Sequence, residues 1–234
     1  MIKAVFFDWF STLADYDPPR AQLQAQVLRE LGFNVDLTSL QRALILADKD
    51  LYAEFAESSL EDRTPEARMQ TFVRHQQGIM AKAGINADTV LAEKAITRLR
   101  ELNAGRRFAL YDDVIPTVRM LKERRLTIGL LTNIRRGIHE ICQELELEPY
   151  LDFIISPAEA GADKPNPAIF QLALDRGGVE AGETIYVGDQ YLQDVVGARN
   201  VGITPILIDR YDVSPEFTDA PRILDLSELA PYLE

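Results

Sequence analysis

The stretch Leu110–Asn133, LYDDVIPTVRMLKERRLTIGLLTN, decides the fold. A helix is expected after Pro116, followed by Leu126–Leu131, a short apolar run that stops at the polar pair Thr132-Asn133. Such a run, short and mostly apolar, suits a strand buried on both faces. The unit then recurs towards the C-terminus. A helix from about Arg136 to Leu145 leads to Phe153–Ile155. A helix after Pro167 leads to Thr184–Val187, which ends at Gly188-Asp189. A helix from about Leu192 to Asn200 leads to Pro205–Ile208, and a short helix is expected near Ser227–Leu233. Repeated β-α-β implies a parallel sheet with helices on both faces.

Towards the N-terminus, Ala4–Phe7 is another continuous apolar run, and it stops at Asp8. After the break at Pro18-Pro19 the periodicity is helical from Arg20 to about Leu102. Leu23, Val27, Leu28 and Leu31 share one helix face, with Gly32 as the stop. Thr38 and Gln41 read as a capping box for a second helix running towards Ser58. Thr64-Pro65 reads as an N-cap followed by proline at the first helical position, and Gly84 as the end of that helix. Ala87–Leu102 reads as a fourth helix. The expected fold class is α/β: a Rossmann-like parallel sheet core, residues 1–16 and 105–234, interrupted after its first strand by an all-helical insert, residues 17–104.

The 234 residues are 47% hydrophobic, enough for a substantial core. A net charge of −12 repels phosphate backbones, so nucleic acid is excluded as a partner. The one cysteine, Cys142, lies among Ile138, Ile141 and Leu145 and reads as core. The opening MIKAVFFDWF is too short and wrongly flanked for a signal peptide, and no run spans a bilayer. A cytoplasmic protein, monomer or homodimer, with no membrane partner is the expectation. His75 and His139 lie in helical stretches with no metal-ligand partner at short spacing.

In doubly wound sheets, ligands bind beyond the carboxyl ends of the strands. Those ends carry Asp8, Thr132-Asn133 and Asp189, and Lys164 precedes a helix in the loop GADKPNP. A strand-end carboxylate can act as a nucleophile, and a lysine opposite it neutralises charge on an anionic small-molecule substrate. The Thr132 hydroxyl and nearby backbone N–H groups suit phosphoryl oxygens. Asp189 and Asp194 beside Asp8 would place carboxylates together, and their repulsion demands a cation; hard oxygen donors favour Mg²⁺.

Four segments in order, FFDWFSTL (Asp8, Thr12), LLTN (Thr132), ADKPNPAIF (Lys164) and YVGDQYLQDVVGARNVG (Asp189, Asp194), resemble the motifs of the haloacid dehalogenase superfamily. The resemblance covers Met1–Asp15 and about Leu110–Ile208, and the helical stretch between looks like the cap many members carry. It implies a hydrolase with Asp8 as nucleophile, Thr132 holding the transferred group and Lys164 steadying the charge. Thr12 and Asn133 would lie at the substrate. Mg²⁺ would be held by Asp8, the Phe10 carbonyl and Asp189, with Asp194 in support.

Phe10 departs from the pattern. Phosphatases of the superfamily have a second Asp there as acid and base, and Ser11 replaces the usual glycine. General acid–base help is worth roughly 10²–10⁴-fold, so leaving groups that need no proton are favoured. The expectation is a Mg²⁺-dependent phosphatase acting on a small phosphorylated metabolite. The alternatives are a metal-independent 2-haloacid dehalogenase, a phosphonate hydrolase, suggested by the Asp8-Trp9 pair, and a catalytically impaired binding protein. Lys49, Lys82 and Lys94 are the insert lysines a phosphonate hydrolase would draw on, and Arg29 and Arg42 are the arginines a dehalogenase would use for halide.

Overall fold

A computed structural model of the chain describes residues 1–57, 60, 63–135 and 137–234, with the backbone alone at 56 and 57. Ser58 and Arg136, named above as a helix end and a helix start, lie outside the described residues. The chain divides into two compact units, residues 1–15 with 108–234, and residues 16–107.

The first unit is built on a six-stranded parallel sheet. Its strands are β1 (Ala4–Phe7), β4 (Thr127–Leu131), β5 (Phe153–Ile155), β6 (Thr184–Gly188), β7 (Thr204–Ile208) and β8 (Arg222–Ile223), in the order β5-β4-β1-β6-β7-β8. Alternation along each strand sends neighbouring side chains to opposite faces. Val5, Phe7, Ile128, Leu130, Ile185 and Val187 enter one apolar cluster, and Ala4, Phe6, Leu131 and Tyr186 enter the other. Both faces are therefore dry, which is why these strands read as unbroken apolar runs. Each fully buried aliphatic or aromatic side chain contributes about 1.5–3 kcal/mol. Helices α5 (Val114–Glu123), α6 (Ile138–Glu144), α7 (Pro157–Ala160), α8 (Pro167–Gly177) and α9 (Gly197–Asn200) connect the strands.

Several details differ from expectation. Helix α5 begins at Val114, with Pro116 inside its first turn, where a missing N–H costs nothing. The helix expected at Leu192–Asn200 is a π-helical coil, Tyr191–Val196, followed by the short α9. The C-terminal helix is a 3₁₀ coil, Leu226–Leu233. Strands β2 (Ala14–Asp17) and β3 (Arg107–Leu110), which form a separate two-stranded sheet, were not anticipated, nor were β8 and α7. They are only two to four residues long, too short to show a period.

In the second unit every described element between Arg20 and Leu102 is a helix: α1 (Arg20–Glu30), α2 (Leu37–Glu57), α3 (Pro65–Lys82) and α4 (Thr89–Leu102). Leu28, Leu40, Leu44, Ile79 and Met80 are at its core. Thr64 caps α3 by accepting from the Ala67 N–H at 3.3 Å. The cap of α2 is Asp36, which accepts from the Ser39 N–H at 2.8 Å, two residues before the expected Thr38. A carboxylate serves as well there as a hydroxyl and adds charge complementary to the helix N-terminus. The polar interior of this unit centres on Asp48. Arg20 grips its carboxylate through both nitrogens at 2.5 and 3.0 Å, and the His75 ring lies 2.9 Å away.

Candidate active site

Strand β1 sits between β4 and β6, and the chain builds outward from it on both sides. Phe7 pairs with Leu130 on one side and Val187 on the other. One residue further, Asp8 stands level with Leu131 and Gly188, so Thr132 and Asp189 follow at the same sheet edge. The Asp8 N–H bonds the Val187 carbonyl at 2.9 Å, which fixes the backbone of the strand end. This is the topological switch point, where connections on either side diverge and leave a crevice.

Lys164 enters this edge from the loop before α8. The Asn133 side-chain amide clamps its backbone from both sides: Oδ1 accepts the Lys164 N–H at 2.8 Å, and Nδ2 donates to the Lys164 carbonyl at 3.1 Å. The lysine side chain is buried. Its ammonium lies 2.5 Å from Asp8 Oδ1, 2.7 Å from Asp194 Oδ1 and 2.8 Å from the Tyr186 hydroxyl. Asp194 Oδ1 also accepts from the Tyr186 hydroxyl at 3.0 Å, and its Oδ2 accepts from the Gln190 N–H at 2.9 Å. Gly188 makes room for this: a Cβ there would lie 2.3 Å from the Asp194 carboxyl carbon. Asp189 is held by the Gln190 side-chain amide at 2.6 Å.

The electrostatics are unbalanced. Burial raises the Asp8 carboxyl to about 6, with Lys164 opposing the rise and Asp194 adding to it. Burial and the neighbouring Asp8 and Asp194 charges push Asp189 well above the ordinary carboxylate range. Burial pulls the Lys164 ammonium down, but Asp194 and Asp8 outweigh it, so its affinity for its proton is raised. Oxygens of Asp8, Asp189 and Asp194 lie within 4.8 Å of one another. Ionised, these carboxylates and the single ammonium leave a formal charge of −3 + 1 = −2. An all-oxygen cluster with that excess fits a divalent cation such as Mg²⁺.

The remaining expected residues are placed as follows. Thr132 is buried, and its hydroxyl accepts from the Ile134 N–H at 3.1 Å. Thr12 is fully buried and its hydroxyl has no hydrogen-bond partner among the described residues, so it offers no surface to a substrate in this conformation. Its carbonyl accepts two bonds from Arg210, at 3.1 and 2.6 Å. Phe10 packs edge-on against Phe108, and Trp9 is wholly buried in the core against the same ring. Ser11 takes the glycine-like backbone, φ 62°, in the turn after Asp8. Arg29, Arg42, Lys82 and Lys94 are exposed on the helical unit, and Lys49 is half-buried. Sequence reasoning missed Tyr186, Gln190 and Arg210. Tyr186 lies inside an apolar strand and carried no signal; Arg210, two residues past the end of β7, was the one within reach of the strand-end argument.

A family model described as haloacid dehalogenase-like hydrolase matches residues 2–202. The chain belongs to the haloacid dehalogenase-like hydrolases. It is 29% identical over 238 residues to the glyceraldehyde 3-phosphate phosphatase of Methanopyrus kandleri, covering 94% of this chain and 90% of that one. It is 26% identical over 235 residues to the ribulose-1,5-bisphosphate 5-phosphatase of Halopiger xanaduensis, covering 95% and 91%. Among solved structures, a 2-haloacid dehalogenase from Pseudomonas syringae superposes with a TM-score of 0.56 at 24% identity, covering 100% of this chain and 98% of that one, which shows the shared fold. As a family member the chain is a hydrolase built on the superfamily's parallel-sheet fold.

Proposed function

We propose that this hydrolase is a Mg²⁺-dependent phosphatase of a small phosphorylated metabolite, acting through an aspartyl phosphate on Asp8. The observation that carries the reading is the cluster at the switch point, in which the buried Asp8 and Asp194 and the half-buried Asp189 outnumber the one ammonium of Lys164. The two phosphatase relatives that match over most of the chain support it.

In this account a carboxylate oxygen of Asp8 attacks phosphorus, the bond from phosphorus to the leaving oxygen breaks, and water later cleaves the acyl phosphate to phosphate and the regenerated carboxylate. Lys164 holds the Asp8 carboxylate in place and offsets charge on the transferred group. Thr132 lines the phosphoryl side of the site. Asn133, with both ends of its amide on the Lys164 backbone, positions that lysine rather than touching substrate. Asp8, Asp189 and the Phe10 carbonyl would hold Mg²⁺, with Asp194 in support; when bound, the ion neutralises phosphoryl oxygens. The helical unit would act as the cap that selects substrate, and the protein would work in the cytoplasm.

Phe10 gives the second reading its one specific support. With an aromatic side chain after the nucleophile, no acid stands there to protonate an alkoxide, and halide needs no proton. A 2-haloacid dehalogenase that works without metal has no use for the excess negative charge around Asp189, so the phosphatase reading is preferred. A turnover screen with Mg²⁺ and with chelator separates them, using p-nitrophenyl phosphate, acetyl phosphate, phosphonoacetaldehyde and 2-chloropropionate. The expected outcome is hydrolysis of the first two with Mg²⁺ only. Turnover of 2-chloropropionate in chelator, with none of the phosphates, would replace the phosphatase by the dehalogenase.

A further inference from the structure

Tyr186 is a buried polar group that the proposed chemistry leaves unused. It sits in the middle of β6, between Ile185 and Val187, with its ring on the opposite face of the sheet from theirs. The ring packs edge-on against Phe170, centroids 5.3 Å apart. Packing alone would be met by phenylalanine. The hydroxyl, however, is in contact with two members of the acidic cluster. It accepts from the Lys164 ammonium at 2.8 Å and donates to Asp194 Oδ1 at 3.0 Å.

An ammonium has three N–H donors and no acceptor. Those of Lys164 have three partners: Asp8, Asp194 and Tyr186. The first two are anions whose pull on a lone ammonium differs little in kind, so a lysine held by them alone is free to lean towards either. Tyr186 removes that freedom, because the hydroxyl that receives the third N–H is itself tied to Asp194. The triangle Lys164–Tyr186–Asp194 is closed, and the one ammonium bond leaving it points at Asp8. A neutral acceptor achieves this without adding charge to a site that already has too much.

We infer that Tyr186 is a positioning residue: its hydroxyl orients the Lys164 ammonium onto the nucleophile Asp8. The catalytic part of this inference rests on the proposed function, in which Lys164 steadies charge at Asp8; the geometric part does not.

The test is the full-length Tyr186→Phe variant, which keeps the ring and its contact with Phe170. Two measurements are made. The first is the ¹H–¹⁵N correlation of lysine ammonium groups, with the Lys164 signal assigned by its loss in Lys164→Met. A buried ammonium with three bonds exchanges slowly with water. In Tyr186→Phe the Lys164 signal should shift and its exchange should quicken by roughly tenfold or more, while backbone amides of β1 and β4 keep their exchange rates. The second is turnover of p-nitrophenyl phosphate with saturating Mg²⁺. An interaction used mainly in the transition state should cost kcat roughly ten- to a hundredfold and leave KM within about threefold. An unchanged Lys164 signal in the variant overturns the inference whatever the turnover shows. A changed signal with kcat within about twofold of wild type overturns the catalytic part. If the wild type hydrolyses no phosphate probe, the phosphatase reading fails, and the ammonium measurement still decides whether Tyr186 orients Lys164.

Discussion

The two units each bury a cluster of charged side chains, and the clusters are built on opposite principles. In the helical unit Asp48 meets the Arg20 guanidinium and the His75 ring, so two partners answer one carboxylate. Burial works against its ionised form, but Arg20 and His75 prevail and hold Asp48 below the ordinary carboxylate range. In the sheet unit Asp8, Asp189 and Asp194 share one ammonium, and burial and mutual repulsion drive Asp8 and Asp189 upward instead. A cluster that serves only the fold has no reason to remain short of positive charge. In the proposed function a bound cation would balance this surplus, and the contrast distinguishes the two clusters where burial does not. Asp48 is 7% exposed and Asp8 8%.

The largest expected effect comes from breaking the surplus at Asp8, the proposed nucleophile. Asp8→Asn should lower phosphate turnover by at least ~10³-fold, since an amide is a poor nucleophile. The same variant should change how stability depends on pH in chelator. With Asp8 raised from 3.8 to about 6, the folded state keeps a proton that the unfolded chain has lost, so wild-type stability falls by about 2–3 kcal/mol as pH rises from about 4 to 6. Asp8→Asn should flatten that fall, read from amide exchange in β1 and β6. Asp48 has the opposite sign: its contribution is present above the unfolded value of 3.8 and is lost as pH falls through its lower folded value. Retained turnover would show that Asp8 is not the attacking group, and an unaltered pH slope that its neighbours and burial do not raise its carboxyl.

A smaller effect is expected from breaking the balanced cluster. Asp48→Ala leaves Arg20 and His75 without their anion. Removing one partner of a buried pair costs about 3–5 kcal/mol, and the partial exposure of Arg20, 25% for its side chain, reduces this to about 2–3 kcal/mol. Amide exchange in α2 and α3 should report the loss. A change below about 0.5 kcal/mol would mean that the triad is incidental.

The sequence displays the two clusters very unequally. Asp8, Thr132 and Asp189 each terminate an apolar run, and a strand that stops at a polar residue announces its carboxyl end. Lys164 stands in a loop before a helix whose start is marked by Asn166-Pro167. The sheet, its parallel sense and the helical character of the described elements between residues 20 and 102 were equally readable, because long elements with two dry faces or one apolar stripe leave a period. The cradle around Lys164 was not readable. Tyr186 looks like one more core residue of β6, and its hydroxyl matters only because the π-helical coil returns Asp194 beneath it eight residues later. The helical cluster was equally hidden, since Arg20, Asp48 and His75 lie on three helices, 28 and 27 residues apart. Thr12 teaches the converse. It belongs to the first motif, yet the turn after Asp8 folds its side chain fully inside.

We propose that the negative surplus at the sheet edge holds a divalent cation beside Asp8. Titration calorimetry of Mg²⁺ into the metal-free protein tests it most directly, with Asp189→Ala as the comparison. The account predicts one site in the wild type and binding at least roughly tenfold weaker in Asp189→Ala, from the loss of a charged ligand. Absence of Mg²⁺ binding in the wild type, or equal binding by the variant, would contradict it.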